Sequence, residues 1–386
     1  MFQFPQPPPL ALYVHVPWCI RKCPYCDFNS HALKESLPAQ EYVDALLRDL
    51  DGEMDTAQRR PLVSIFLGGG TPSLLPADAV ARLLEGVRKR MVLAPGCEIT
   101  LEANPGVVEH GQFAELREAG VNRLSLGVQS FDDSALVRLG RIHSGAEAIR
   151  ALERAHDAGF ERINLDLMFG LPEQSLAAGL RDLRTALALA PAHLSWYQLT
   201  LEPNTLFHRQ PPALPDDDTV WELQEQGQAL LAEHGLVQYE VSAYARPGEE
   251  CRHNLNYWTF GDYLGIGAGA HGKLSDAAQG AIERRAKTRH PSAYLAAAPR
   301  GEALSSRWRL SVADAVTEFM MNALRLTGGF DPALMAERSG LPRAQFRPGL
   351  EAAQAQGLLA CSDTRVHPTT LGRRFLNDLV ALFCSP

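Results

Sequence analysis

Apolar runs and helical patterns alternate at a steady rhythm from the start of the chain to about position 200. The apolar runs predict strands near 10–17, 62–67, 97–103, 122–128, 162–168 and 193–200. Between them, segments such as 76–88 set apolar residues at i, i+3, i+4 and i+7, the period of a helix with one buried face. Gly120 and Gly159 each close a helical run just before a strand, as glycine commonly does after the last helical residue. Six strand-helix units in series imply a parallel sheet, either open and doubly wound or closed into a full or partial barrel.

Polar residues gather where these strands end. Cys19, Cys23 and Cys26 follow the first, Gly68-Gly-Gly-Thr-Pro72 the second, and Glu102-Ala-Asn-Pro105 stands at the third. Gln129 follows the fourth strand and Asp166 lies late in the fifth. The C-terminal edge of a parallel sheet is where ligands bind, so one pocket collects all of these groups. Consecutive glycines let a backbone approach a ligand closely. A carboxylate such as Glu102 or Asp166 can grip two ribose hydroxyls, and Arg141 can pair with a carboxylate through two parallel bonds.

The cysteines carry the most specific signal. Their spacing, C-x3-C-x2-C, sets three thiolates on one short loop, and thiolate is the usual ligand of an iron-sulfur cluster. A structural zinc site normally takes four ligands, so zinc would need His15, His31 or a distant cysteine as well. Seven cysteines in 386 residues are sparse and odd in number, unlike a disulfide framework. Cys97, Cys361 and Cys384 have no ligand-like neighbours and read as structural.

Composition, 46% hydrophobic and 21% charged, suits a large core and a cytoplasmic protein of two or three domains. The first residues lack the pattern of a signal peptide, and no apolar run reaches the length of a membrane span. A formal charge of -8 argues against general affinity for nucleic acid.

The cysteine loop resembles the signature loop of the radical SAM superfamily. Together with Gly-Gly-Gly-Thr-Pro, Leu-Glu-Ala-Asn-Pro, Ser125-Leu-Gly-Val-Gln-Ser-Phe131, Arg141-x-His143 and Asn164-Leu-Asp-Leu-Met-Phe-Gly-Leu-Pro172, it is similar to the HemN/HemW group, from about Tyr13 to Trp258. The resemblance implies a partial (β/α)6 radical SAM barrel and a [4Fe-4S] cluster on Cys19, Cys23 and Cys26, with one iron open to S-adenosylmethionine. It also implies that Tyr13, Gly69 and Glu102 meet the cluster-bound molecule. Tyr25, Gly70, Thr71, Gln129, Arg141 and Asp166 then line a second site or its edge.

Two departures separate the chain from the group's oxygen-independent coproporphyrinogen III dehydrogenase. Phe28 stands where that enzyme has a fourth cysteine, and only eighteen residues precede Cys19. Both features, with Cys251-Arg-His-Asn-Leu-Asn-Tyr-Trp258, resemble the HemW subgroup, implicated in carrying heme to other proteins. That resemblance implies heme as cargo, heme-acceptor proteins, membrane-associated ones included, an electron donor for the cluster, and no decarboxylation of the porphyrinogen. The alternatives are the dehydrogenase itself and a binding module with a structural cluster.

Imidazole and thiolate are both axial ligands of heme iron, so His253 and Cys251 are the heme candidates. His271, in Gly265-Ile-Gly-Ala-Gly-Ala-His-Gly272, is a second histidine to consider, within glycines that mark a loop near the pocket. Arg252 could pair with a propionate, and Tyr257 and Trp258 offer flat apolar faces.

The core is expected to end with a strand near 239–243, giving a barrel over 1–245 and a connecting segment over 246–310. Over 311–386 three helices, two short strands and a last helix predict a mainly helical, winged-helix-like domain. Residues 301–386 hold nine arginines against eight acids, too little charge for a nucleic-acid footprint.

Overall fold

The structure, a computed structural model, describes residues 1–107 and 112–384. Twelve strands of one sheet are numbered here in chain order: β1 Leu10–Val16, β2 Leu62–Gly69, β3 Leu93–Ala103, β4 Arg123–Gln129, β5 Ile163–Phe169, β6 His193–Gln198, β7 Val237–Glu240, β8 Ala243–Ala245, β9 Asp262–Ile266, β10 His271–Asp276, β11 Ala281–Lys287 and β12 Leu304–Arg309. Their order is β12-β11-β10-β9-β1-β2-β3-β4-β5-β6-β8-β7. β9 and β1 to β6 run parallel, and antiparallel strands extend the sheet at both ends.

The six predicted strands are β1 to β6, and the sheet they form is the partial barrel. β1, in its centre, is buried at nearly every position, as a strand covered on both faces must be. Helices such as Ala39–Asp51, Ala77–Arg90, Gly145–Asp157 and Leu176–Ala188 pack on the outer face. Ser144 and Glu147 form a capping box at the third of these, and Ser175 caps the fourth. Gly120 and Gly159 take positive φ values of 110° and 82°, the left-handed turn that ends a helix.

Past position 200 the structure differs from the sequence expectation in two ways. The strand expected near 239–243 is two short strands, β7 and β8, joined by a turn at Val241 and Ser242. The segment read as a connector over 246–310 adds β9 to β12 to the same sheet. These strands carry charge that a hydrophobic pattern does not reveal. Asp262 accepts from Arg60 and Lys273, and Lys287 bridges Asp49 and Glu53, all of them buried or nearly so. Paired in this way, charges can occupy core positions.

The C-terminal residues follow the predicted order through helices Val312–Ala323, Ala333–Ser339 and Arg347–Ala355 and the antiparallel pair Leu359–Cys361 and Val366–Pro368, and the expected last helix is divided in two, Thr370–Arg374 and Leu376–Ala381. Their core centres on Phe319, whose ring meets Phe260, Phe330 and Phe346 edge to face at 5.3–5.7 Å. Phe2 and Ile282 join the same core, so it also holds this unit to the barrel. Phe319→Ala leaves a cavity among three rings. It is expected to cost about 3–5 kcal/mol in denaturant unfolding followed by near-ultraviolet circular dichroism.

Candidate functional site

In a strand, every second side chain faces the same way. In β3 to β6 the inward set is largely polar: Thr100 and Glu102; Arg123, Ser125 and Gln129; Asn164 and Asp166; His193, Ser195 and Tyr197. Their neighbours, such as Leu101, Leu124, Leu126, Leu165 and Leu194, are buried in the core with the helices. Each inward residue lines one of two cavities, of about 820 Å³ and about 390 Å³. Glu102, Ser125, Asp166, Ser195, Asn254 and Trp258 line both, so the two are neighbours within one barrel.

The larger chamber opens under the cysteine loop. Trp18–Cys19 pairs with His31–Ala32 and closes that loop at its base. Lys22 Nζ donates to the carbonyls of Phe28 and Ser30 at 3.1 and 3.2 Å. Asn29 Nδ2 reaches the carbonyls of Ala268 and Arg289, both at 2.9 Å, while the Asn29 carbonyl is bonded to His15 Nε2.

All three cysteines are free thiols, half-buried around the chamber mouth. Burial is the first cause that raises the pKa of Cys19 and of Cys26. Arg141 Nη1 lies 3.7 Å from Cys23 Sγ, and its Nη2 donates to the Gly127 carbonyl at 2.6 Å. Among the described residues no three His, Cys, Asp or Glu side chains converge as ligands of a single ion do. Thiolates that each meet a different corner of a cubane need no such convergence, so this donor set fits a cluster.

The glycine loop fits tightly behind the cysteines. A Cβ on Gly70 would stand 2.5 Å from the Trp18 carbonyl oxygen, and Gly69 has a φ of 115° with the His15 ring beside it. Only glycine suits such positions. The Gly69 N–H donates to Glu102 Oε2 at 3.1 Å. Asp166 accepts from Asn164 Nδ2 at 2.7 Å and from Ser125 Oγ at 3.1 Å. Gln129, with a φ of 68°, accepts from the Tyr197 hydroxyl at 2.7 Å.

Cys19, Cys23, Cys26, Tyr25, Gly69, Gly70, Thr71, Glu102, Gln129, Arg141 and Asp166 therefore line one chamber. Tyr13, Cys251 and His253 do not join them and line the smaller cavity. Tyr13 bonds to His15 Nδ1 at 2.9 Å. His271 is exposed at the start of β10, away from both cavities.

His253 belongs to a short helix, Arg252–Trp258, with Cys251 just before it at the N-cap, and the start of this helix is capped from outside. Glu98 Oε1 accepts from the N–H groups of Arg252 and His253 at 2.9 and 3.3 Å, and from Cys251 Sγ at 3.5 Å. Burial first, then the Glu98 charge, pushes the Cys251 thiol up to about 12. His253 stacks on Phe66 at 4.9 Å and meets Tyr257 edge-on at 4.9 Å. Its Nδ1 bonds to Ser64 Oγ at 2.9 Å, its buried Nε2 has no partner among the described residues, and burial lowers its pKa to about 3. Trp258 stands at the junction of the cavities, with the Arg325 guanidinium 4.3 Å from its ring centre.

Sequence reasoning missed Ser195, Tyr197, Glu98 and Arg325. The first two were legible as alternate polar positions in Leu194-Ser-Trp-Tyr-Gln198. Glu98 and Arg325 carried no local signal.

Burial first, and then the Asp166 charge, raises the Glu102 pKa to about 8. A carboxyl raised in this way binds its proton more tightly folded than unfolded, so its ionisation weakens the fold. The ligand-free protein should lose stability between about pH 4.5, the ordinary glutamate value, and about pH 8. The loss due to this group is at most about 1.4 kcal/mol per pH unit. Glu102→Gln should remove that part of the slope in denaturant titrations across the range, and an identical slope would show that Glu102 is ionised in the folded protein.

Comparison with known proteins agrees with this fold. Residues 13–185 match the model of the radical SAM superfamily, and residues 310–375 that of the HemN C-terminal domain. The chain is 53% identical over 377 residues to the heme chaperone HemW of Escherichia coli, covering 97% of this chain and 98% of that one. It is 48% identical to HemW of Haemophilus influenzae, covering 98% and 99%, and 34% identical to HemW of Bacillus subtilis, covering 97% and 98%. The coproporphyrinogen III oxidase HemN of Escherichia coli has the same fold, with a TM-score of 0.83, 24% identity, and 98% and 91% of the two chains covered. A radical SAM barrel, its cysteine loop and full-length identity of this order together make the chain a member of the HemW family.

Proposed function

We propose that this chain binds heme and hands it to acceptor proteins, using a [4Fe-4S] cluster and S-adenosylmethionine. The observation that carries the reading is His253. A metal-ligating imidazole usually bonds through its other ring nitrogen, which fixes tautomer and orientation. His253 has that arrangement: Nδ1 held by Ser64, Nε2 without a partner among the described residues, and a pKa of about 3 that keeps the ring neutral. Phe66, Tyr257 and Trp258 supply apolar faces for a porphyrin. Cys251 is the poorer ligand, because its thiol is engaged with Glu98 and stays protonated at neutral pH.

In this reading Cys19, Cys23 and Cys26 hold the cluster, which when bound supplies an electron to S-adenosylmethionine. Gly69 and Glu102 are the groups for the adenosyl and methionyl parts of the first molecule, with Tyr13 behind them. Tyr25, Gly70, Thr71, Gln129, Arg141 and Asp166 would meet a second. Phe28, 58% exposed, leaves the loop without a fourth thiol, which supports cargo handling over porphyrinogen decarboxylation. A cytoplasmic location is part of the proposal. Among the described residues no helix is long and apolar enough to cross a membrane.

Anaerobic reconstitution should load one four-iron cluster, and Ala at any of Cys19, Cys23 or Cys26 should remove most of the iron. A normal cluster spectrum in the triple variant would rule the loop out.

Heme titration should show one equivalent bound, with no turnover of coproporphyrinogen III under reducing conditions. His253→Ala should shift the heme absorption and weaken binding with the cluster intact. Ser64→Ala should weaken binding by about tenfold or more, as loss of a ligand's orienting bond does. An unaltered heme spectrum in His253→Ala would eliminate that ligand, and efficient decarboxylation would overturn the chaperone reading.

A further inference from the structure

Trp258 stands where the two cavities meet, and its neighbour Arg325 has no part in the reading above. Arg325 comes from the C-terminal unit, in the turn after Val312–Ala323. That turn is fastened to β7. Leu326 bridges Glu240, the Thr327 N–H donates to the Tyr239 carbonyl at 3.1 Å, and Thr327 Oγ1 donates to the Gln238 carbonyl at 2.6 Å. Backbone and hydroxyl bonds on both sides thus fix Arg325, and its side chain lines the larger chamber.

The guanidinium is only partly used. Its Nη2 donates to Glu240 Oε2 at 3.0 Å, and its Nε has no partner among the described residues. Glu240 is 4% exposed and Arg325 30%, so the pair is not sealed on the arginine side. The buried Trp258 indole N–H has no partner among the described residues either. Buried donors normally find an acceptor, so two unserved ones on touching side chains at a cavity wall point to a ligand oxygen. The other cations of the cavities near this point are committed. Arg141 is held by the Gly127 carbonyl and Cys23, and Arg123, 2% exposed, by Glu98 and the Glu249 carbonyl. Arg252, the propionate partner expected from the sequence, is exposed, donates to the Gly96 carbonyl at 2.7 Å and lines neither cavity.

We propose that Arg325 is a carboxylate subsite of the larger chamber and that it takes a propionate of the bound heme. The proposal rests on the reading that heme is the cargo and His253 its ligand. Heme carries its two carboxylates on one edge of a flat ring. His253 lines the smaller cavity, Arg325 the larger and Trp258 both, so a ring with its iron at His253 and its face on Trp258 brings that edge to the guanidinium. A guanidinium is the side chain best suited to a carboxylate. The C-terminal unit thereby completes a site that the barrel alone lacks. The methionyl carboxylate of S-adenosylmethionine has the same chemistry, and the test separates the two sources.

The test is titration of the reconstituted full-length protein with heme and with heme dimethyl ester, in the same detergent. The ester keeps the iron and the ring and loses both charges. Wild type should bind the free acid about tenfold or more tightly than the ester, as a charge-assisted hydrogen bond provides. Arg325→Ala should weaken heme binding by that factor and leave ester binding unchanged, so that acid and ester bind alike. Arg325→Lys, which keeps the charge and loses the planar fork, should recover part of the preference. Affinity for S-adenosylmethionine, read by calorimetry, should be the same in all three proteins.

Equal affinity of the wild type for acid and ester overturns the proposal, and that result needs no variant. An equal loss of acid and ester binding in Arg325→Ala overturns it too, because Arg325 would then only support Trp258 and Glu240. Weaker binding of S-adenosylmethionine in Arg325→Ala with heme binding unchanged would give the subsite to the methionyl carboxylate and overturn it as well. A wild type that binds neither heme nor its ester would instead defeat the reading on which the proposal rests.

Discussion

A parallel strand shows a given face only every second side chain, and in β3 to β6 one face is largely polar. Such a face cannot close on itself as a packed core, because each group needs a partner or a ligand. The barrel interior therefore stays open as two adjoining cavities, and apolar packing moves to the outer face, where the helices lie. Glu102 and Asp166 survive inside because backbone and side-chain donors serve them.

The same interior holds the motif helix in place. Arg252–Trp258 is two turns long, has no cap of its own, and would be marginal alone. Glu98, on β3, supplies the missing acceptor and is itself paired with Arg123 at 3.5 Å. A carboxylate from one strand thus decides where an imidazole from a distant part of the chain stands. The charged strands that follow depend on buried pairs in the same way, Asp262 with Lys273 and Lys287 with Asp49.

The cysteine loop is held mainly through backbone carbonyls. His15, and Lys22 and Asn29 of the loop itself, form bonds to carbonyls within it or beside it, and the three cysteines remain unbridged around the chamber mouth. Positioning residues on rigid elements in this way is how a site keeps its geometry when a ligand enters.

The sequence by itself determined the six parallel strands, the helix ends at Gly120 and Gly159, and the gathering of the cysteines, the glycine loop, Glu102, Gln129 and Asp166 at one sheet edge. It could do so because local periodicity and short spacings encode those features. Its order of elements also gave the C-terminal unit. Only the tertiary structure decided that residues 262–309 extend the sheet, since their strands are stabilised by ion pairs between residues such as Asp49 and Lys287, far apart in the chain. It also decided that Tyr13, Cys251 and His253 share a second, smaller cavity, and that Glu98 and Arg325 act on a helix remote from both. A hydrogen bond between distant segments leaves no period in the sequence, so its partners become visible only once the chain has folded.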